Sequence, residues 1–143
     1  MAVYPLSVFH FAVVWGGSNI SFQEVSGLNV NSEKIAYRGG ASPESSDIVM
    51  PGRRTYDDIV LKRGIFAGDS EFYKWINTAV MNDVERRDLT ISLLNSEHAP
   101  VVTWKVKNAW PMKLEGPSMN STGNEVAVES LTLAHEGLSI EYI

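Results

Sequence analysis

The chain has 143 residues, with 12 Lys+Arg against 17 Asp+Glu, a formal net charge of −5 and no cysteine. At this length a single domain spanning 1–143 is expected, and one core can bury roughly two-thirds of the surface that the unfolded chain exposes. Absence of cysteine excludes disulfide frameworks, Cys-based zinc sites, iron–sulfur clusters and a thiol nucleophile, and the acidic balance argues against a generic nucleic-acid binder.

Met1 to Pro5 carries no Lys or Arg, and the apolar stretch Leu6 to Trp15 is interrupted by Ser7 and His10. Neither a signal peptide nor a membrane span is expected, so synthesis in the cytoplasm and no specific membrane binding follow. Without a secretory signal, the glycosylation patterns at Asn19-Ile20-Ser21 and Asn120-Ser121-Thr122 read as chance.

The Val- and Phe-rich run Leu6 to Trp15 predicts a strand, stopped by Gly16-Gly17-Ser18 and turned as a hairpin into Asn19 to Val25. Ser26-Gly27-Leu28 redirects the chain, and Ile35 to Arg38 forms a short strand. Gly39 to Gly52 is the longest turn-rich segment and predicts a long loop, yet its Ile48-Val49-Met50 is apolar. Tyr56 to Arg63 returns to strand character. Asp69 or Ser70 then caps a helix whose Phe72, Trp75, Ile76, Ala79 and Val80 recur at helical spacing. Leu89 to Leu94 and Val101 to Lys107 form a hairpin around Asn95 to Pro100. Trp110-Pro111 should end that ladder, because proline lacks the N–H a central strand donates. After a polar loop over Gly116 to Asn124 comes a long strand, Glu125 to His135, and an alternating tail through Leu138, Ile140 and Tyr142. The fold class is therefore mainly β (α+β). It is a sandwich or small barrel of about seven strands with one flanking helix and a long extended loop.

No chemistry-bearing constellation emerges. His10, His98 and His135 share no metal-binding spacing, and no nucleophile elbow, Walker loop, dinucleotide fingerprint or EF-hand occurs. Asp57 and Asp58 point to opposite faces of a strand. The dibasic pairs Arg53-Arg54, Lys62-Arg63 and Arg86-Arg87 have acidic neighbours and read as solvated faces or protein–protein ion pairs. Trp15, Trp75, Trp104 and Trp110 read as packing residues. No catalytic residue, cofactor or metal is expected. What stands out is surplus apolar surface, since Phe9, Phe11 and Val13 oppose Val8, Ala12 and Val14 across one strand. A monomer with one helix cannot cover both faces, which points to a partner subunit.

Five segments occur in order: Phe22 to Leu28, Ile35 to Gly40, Met50-Pro51-Gly52, Leu61 to Gly64 and Asn108-Ala109-Trp110-Pro111. This ordered set resembles the inner tail-tube proteins of contractile-tailed phages, and more closely the tube proteins of extracellular phage-tail-like injection particles. The resemblance covers essentially the whole chain. It implies a structural, non-enzymatic subunit, six copies of which close into a ring, with rings stacking into a hollow tube inside a contractile sheath. Implied partners are further copies of the chain, the sheath protein, baseplate and spike proteins, a tube terminator and protein cargo in the lumen. The finished particle would be released or membrane-anchored. A tube-initiator or baseplate-adaptor paralogue shares the design; a small β-barrel binding module for sugar or lipid is an alternative of another class. The resemblance places the loop from Gly39 to Tyr56 against neighbouring subunits. Candidate interface residues are Ile48, Val49, Met50, Pro51, Arg53, Arg54, Tyr56, Lys62 and Arg63, with the cations fixing ring register.

Overall fold

A computed structural model describes residues 10–16, 22–37, 40, 48–78 and 84–143. Among these residues the elements are strands β1 (Phe11–Val14), β2 (Glu24–Ser26), β3 (Val30–Tyr37), β4 (Ile48–Tyr56) and β5 (Ile59–Gly64), helix α1 (Glu71–Ile76), and strands β6 (Arg87–Leu94), β7 (Pro100–Glu115), β8 (Val128–Ala134) and β9 (Gly137–Tyr142). The expected predominance of β structure with one flanking helix is what the chain adopts.

Seven strands form one sheet in the order β1-β6-β7-β8-β5-β2, with β9 also paired to β7. Strand β7 organises it. Its first half pairs with β6 and with β9, and its second half pairs with β8. The two halves of the sheet are joined through this strand, and the sheet does not close into a barrel.

Between the halves β7 bends at Asn108, which adopts φ 51°. Asparagine tolerates this left-handed conformation better than most residues. The bend is tied on both sides: the Asn108 amide donates to Asp88 Oδ1 at 2.9 Å, and Asn108 Nδ2 donates to Glu136 Oε2 at 2.7 Å. Pro111 therefore does not end the ladder, contrary to expectation. It is opposite Leu133, and the register shifts between Pro111 and Lys113, an irregularity that accommodates the missing donor.

Three other sequence expectations change. In place of a hairpin between the first two strands, β1 pairs with β6 and β2 with β5; Leu6 to Phe9 and Asn19 to Ser21 lie outside the described residues. The stretch Tyr56 to Arg63 is divided at Asp57-Asp58 between β4 and β5, and the strand expected from Glu125 begins at Val128. Helix α1 starts as expected near Asp69, whose Oδ1 accepts from the Glu71 amide at 3.1 Å, whereas Ser70 makes no side-chain capping bond. Ala79 and Val80 lie outside the described residues.

One core draws on both sheet halves and the helix. It contains Ile59 and Leu61 of β5, Leu131 and Leu133 of β8, Leu89 and Ile91 of β6, Val106 of β7, and Trp15, Phe72 and Trp75. Trp15 meets Phe72 edge to face, 5.2 Å between centroids, and lies tilted 5.9 Å from Trp75. Strand alternation puts Arg63 in the inward row with Ile59 and Leu61, and it is only 1% exposed. Its charge is met entirely within the chain. Nε donates to Glu129 Oε1 at 3.0 Å, directly across the strand pair, NH2 and NH1 donate to the two oxygens of Asp69 at 3.1 and 3.3 Å, and the guanidinium lies 4.0 Å over the Phe72 ring. Arg63 thus belongs to the interior, and its assignment to the outer surface as a register-fixing cation is corrected.

Truncating one partner of a buried ion pair strands the others. Arg63→Ala is expected to destabilise the subunit by about 3–5 kcal/mol, measured by urea unfolding. A loss below about 1 kcal/mol would show that the network contributes little.

Candidate assembly interface

Strands β3 and β4 form a two-stranded antiparallel sheet separate from the main sheet. Every residue of β3 is exposed, and so are Ile48 to Pro51, Arg53 and Arg54 of β4. The segment expected as loop is therefore strand from Ile48 to Tyr56, and β3 begins at Val30 rather than Ile35. Arg38-Gly39 and Ala41 to Asp47 lie outside the described residues. The turn-forming Pro51-Gly52 misled the reading, because here both lie inside a strand. Their register explains it: Lys34 pairs with Pro51 but Ser32 with Arg54, so a bulge absorbs the irregular residues. A Cβ on Gly52 would approach Ile35 Cγ1 to 3.0 Å, so the absence of a side chain there lets Ile35 lie across the bulge.

The pairing collects apolar side chains that are scattered in sequence. Ile35 faces Met50 and Tyr37 faces Ile48. Two residues apart on each strand, these pairs share one face of the arm. They are 49%, 45%, 60% and 59% exposed respectively. Val49 is opposite Ala36 on the other face, next to the Lys34–Pro51 pair. Sequence reasoning found the β4 half of this surface and missed Ile35 and Tyr37. A two-stranded sheet is at best marginally stable alone in water.

The remaining candidate residues lie toward the arm's root or on the body. Tyr56 ends β4, half-buried and packed against the core. Arg54 and Tyr56 border a cleft of about 590 Å³ with Asp88, Lys105, Lys107 and Ser139. Lys62 is on β5, where its ammonium pairs with Glu24 at 3.2 Å. The structure therefore brings Ile48 to Tyr56 together on the arm and leaves Lys62 and Arg63 on the body.

The root is held by residues that sequence reasoning did not select. Asp57 accepts hydrogen bonds from Asn29 and Asn31, and His135 packs its ring 5.5 Å from that of Tyr56. The Asn-x-Asn spacing facing an acid was the available signal. Gly27 precedes the arm with φ 88°, and a Cβ there would overlap the Asp58 carbonyl oxygen.

Elsewhere, Trp15 and Trp75 are buried, which removes two rings from any stacking platform. His10 and His98 meet edge to face at 5.1 Å, yet no group of three or more metal-ligating side chains occurs among the described residues. The third dibasic pair is engaged within the chain, Arg86 with Glu136 and Arg87 with Glu85. No described helix is long and apolar enough to cross a membrane.

Among the described residues, an open β-sheet with one short helix and an exposed two-stranded arm defines a mainly β subunit. Its sequence matches the profile of the T4-like virus tail tube protein gp19 over residues 7–139, and the chain belongs to that tail tube family. It is a structural tube subunit, homologous to tube proteins of contractile injection systems. No curated protein sequence matches it. Among solved structures, it is similar to a chain of the PVC sheath–tube complex of an extracellular contractile injection system in the extended state. That chain is 37% identical with TM-score 0.89, the match covering 98% of this chain and 93% of the other. It is also similar to a chain of the anti-feeding prophage tube-terminating cap, 37% identical with TM-score 0.91, covering 100% and 95%. Hcp1 from Flavobacterium johnsoniae shares the fold at 16% identity and TM-score 0.55, covering 92% and 94%.

At Gly27 any side chain meets backbone in an already left-handed conformation. Gly27→Ala is expected to cost at least about 2 kcal/mol in a thermal or urea melt; a neutral result would mean the arm root relaxes freely.

Proposed function

We propose that six copies of this chain close into a ring and that rings stack into the hollow inner tube of a contractile, phage-tail-like injection particle. Its role is mechanical rather than catalytic. The observation that carries this reading is the exposed β3–β4 arm with its apolar face, joined to a body whose sheet ends in edges that no other described strand pairs.

The sheet's geometry supports ring closure. In the half containing β1, β6, β7 and β9, each neighbouring pair is antiparallel. Strand directions alternate, so β9 at one side runs opposite to β1 at the other. Setting β9 of one copy beside β1 of the next continues the alternation without a break. Four strands per copy close for any number of copies, and closure removes the unpaired edges that would otherwise invite aggregation. Such a contact is heterologous, as ring formation requires.

The arm supplies what the edges do not. Seating Ile35, Tyr37, Ile48 and Met50 against an adjacent subunit or ring would remove from water an apolar face that the monomer leaves open. Pro51 at the bulge and Tyr56 at the root hold the arm in shape, and Arg53 and Arg54 are exposed cations of β4. Lys62, already paired with Glu24, has a secondary part at the interface. The contractile sheath and a tube terminator are the partners, supported by relatives that come from sheath–tube and terminator assemblies. A baseplate with its spike, protein cargo in the lumen, cytoplasmic assembly and export as part of a particle complete the proposal.

The test replaces Ile48 and Met50 with Asp and Val49 with Ser in one variant. The subunit is expected to keep its circular dichroism spectrum and lose long tubes in negative-stain micrographs. Tubes of unchanged length and number would refute the arm's role.

A further inference from the structure

A polar cluster at the arm's root joins three separate segments. Asp57, the residue between β4 and β5, accepts from Asn29 Nδ2 at 2.8 Å through Oδ2 and from Asn31 Nδ2 at 2.9 Å through Oδ1. Its backbone carbonyl oxygen lies 3.0 Å from His135 Nε2. The other ring nitrogen, Nδ1, lies 3.2 Å from the Gly137 carbonyl oxygen. His135 is in the link between β8 and β9, opposite the bend of β7, where the Glu136 amide donates to the Lys107 carbonyl at 2.9 Å. One residue, Asp57, therefore ties the start of β3 to the end of β4 through its side chain and ties both to the body through its backbone.

Chemistry makes this arrangement asymmetric in pH. A neutral imidazole has one N–H and one lone pair, whereas both of these ring nitrogens face carbonyl oxygens, which only accept. In the neutral form one carbonyl confronts a lone pair. In the imidazolium form both nitrogens donate, and both bonds are charge-assisted. The groups around the ring are of both signs. The Asp57 carboxylate and Glu136 are acidic, Lys107 and Arg54 border the neighbouring cleft, and Tyr56 packs its ring against the imidazole. Glu136 is already engaged by Arg86 and Asn108, and the Asp57 carboxylate by the two asparagines.

We infer that Asp57 and His135 are positioning residues that fix the angle of the β3–β4 arm to the body, and that the imidazolium form of His135 closes this lock. The inference rests on the reading of the arm as the assembly element. With both ring nitrogens donating, the arm is held by both carbonyl contacts; with a single ring N–H, one is lost and the arm loosens.

Amide hydrogen exchange of the arm, corrected for intrinsic rates and followed by mass spectrometry, tests this in the wild type and in the Ile48, Val49 and Met50 variant. At pH 5.5 the arm is expected to exchange about fivefold more slowly than at pH 8, the equilibrium effect of about one hydrogen bond. His135→Gln, which keeps a donor but cannot titrate, should abolish the pH difference. Asp57→Ala should raise exchange at both pH values. An arm with the same pH dependence in His135→Gln, or with unaltered protection in Asp57→Ala, overturns the inference. Micrographs of the wild type separate the two readings. Tubes without a pH-dependent arm refute the lock alone, while a pH-dependent arm without tubes refutes the assembly reading alone.

Discussion

The bend of β7 at Asn108 is the constraint on which the other features depend. A sixteen-residue strand passes from one half of the sheet to the other, and it turns without losing its partner because β8 and β9 bend with it at His135-Glu136. The amide freed by the left-handed residue is taken up by Asp88, and the side chain is taken up by Glu136. From that corner follow the shared core between the halves, the edges at β1 and β9 that no other described strand pairs, and the place where the arm meets the body. A residue that could not adopt this conformation at low cost would flatten the corner and separate the halves.

Inside the corner the molecule uses charge where a purely apolar core would suffice. Arg63 stands in the inward row of β5 and connects the helix start through Asp69 to β8 through Glu129, with Phe72 under its guanidinium. Buried ionic groups of this kind add less net stability than their contacts suggest, and in some proteins they fix a single arrangement instead. Here that means one docking geometry for a helix of six residues, too short to fix its own position by an apolar stripe. Outside the corner the logic reverses. The arm has an apolar face, forms a sheet separate from the main one among the described strands, and has at best marginal stability expected of it in isolation. A subunit with a tightly specified interior and an unfinished exterior is what a self-assembling tube requires, because its surface burial is completed only by neighbours.

Much of this was legible in the sequence. Strand character identified most of β5 and β6, alternation marked the first half of β7, and the i, i+3 spacing of Phe72 and Trp75 identified α1. Surplus apolar residues pointed to partners, and Ile48-Val49-Met50 stood out as misplaced for a loop. What failed has specific causes. Proline and glycine at positions 51 and 52 read as turn chemistry, although a bulge can house them inside β4. Pro111 read as a terminator for the same reason. Arg63 looked like surface charge because a dibasic pair in a strand shows one member outward, and parity alone does not reveal which member is inward. Pairing partners were the least visible feature. A Gly-Gly turn suggested that β1 folds back on the next strand, whereas the long-range partners β6 and β5 prevail, and nothing local encodes that choice. The arm-root cluster was hidden likewise, since Asp57 and His135 are distant in the chain.

The central claim is that this subunit completes itself by joining copies along its open edges and through its arm. A cryo-electron microscopy reconstruction of the purified wild-type protein tests it most directly. The account predicts rings stacked into tubes in which β9 of one copy runs antiparallel to β1 of the next and the β3–β4 arm lies against an adjacent subunit. A monodisperse monomer at high concentration, or rings in which those edges and the arm remain in solvent, would contradict it.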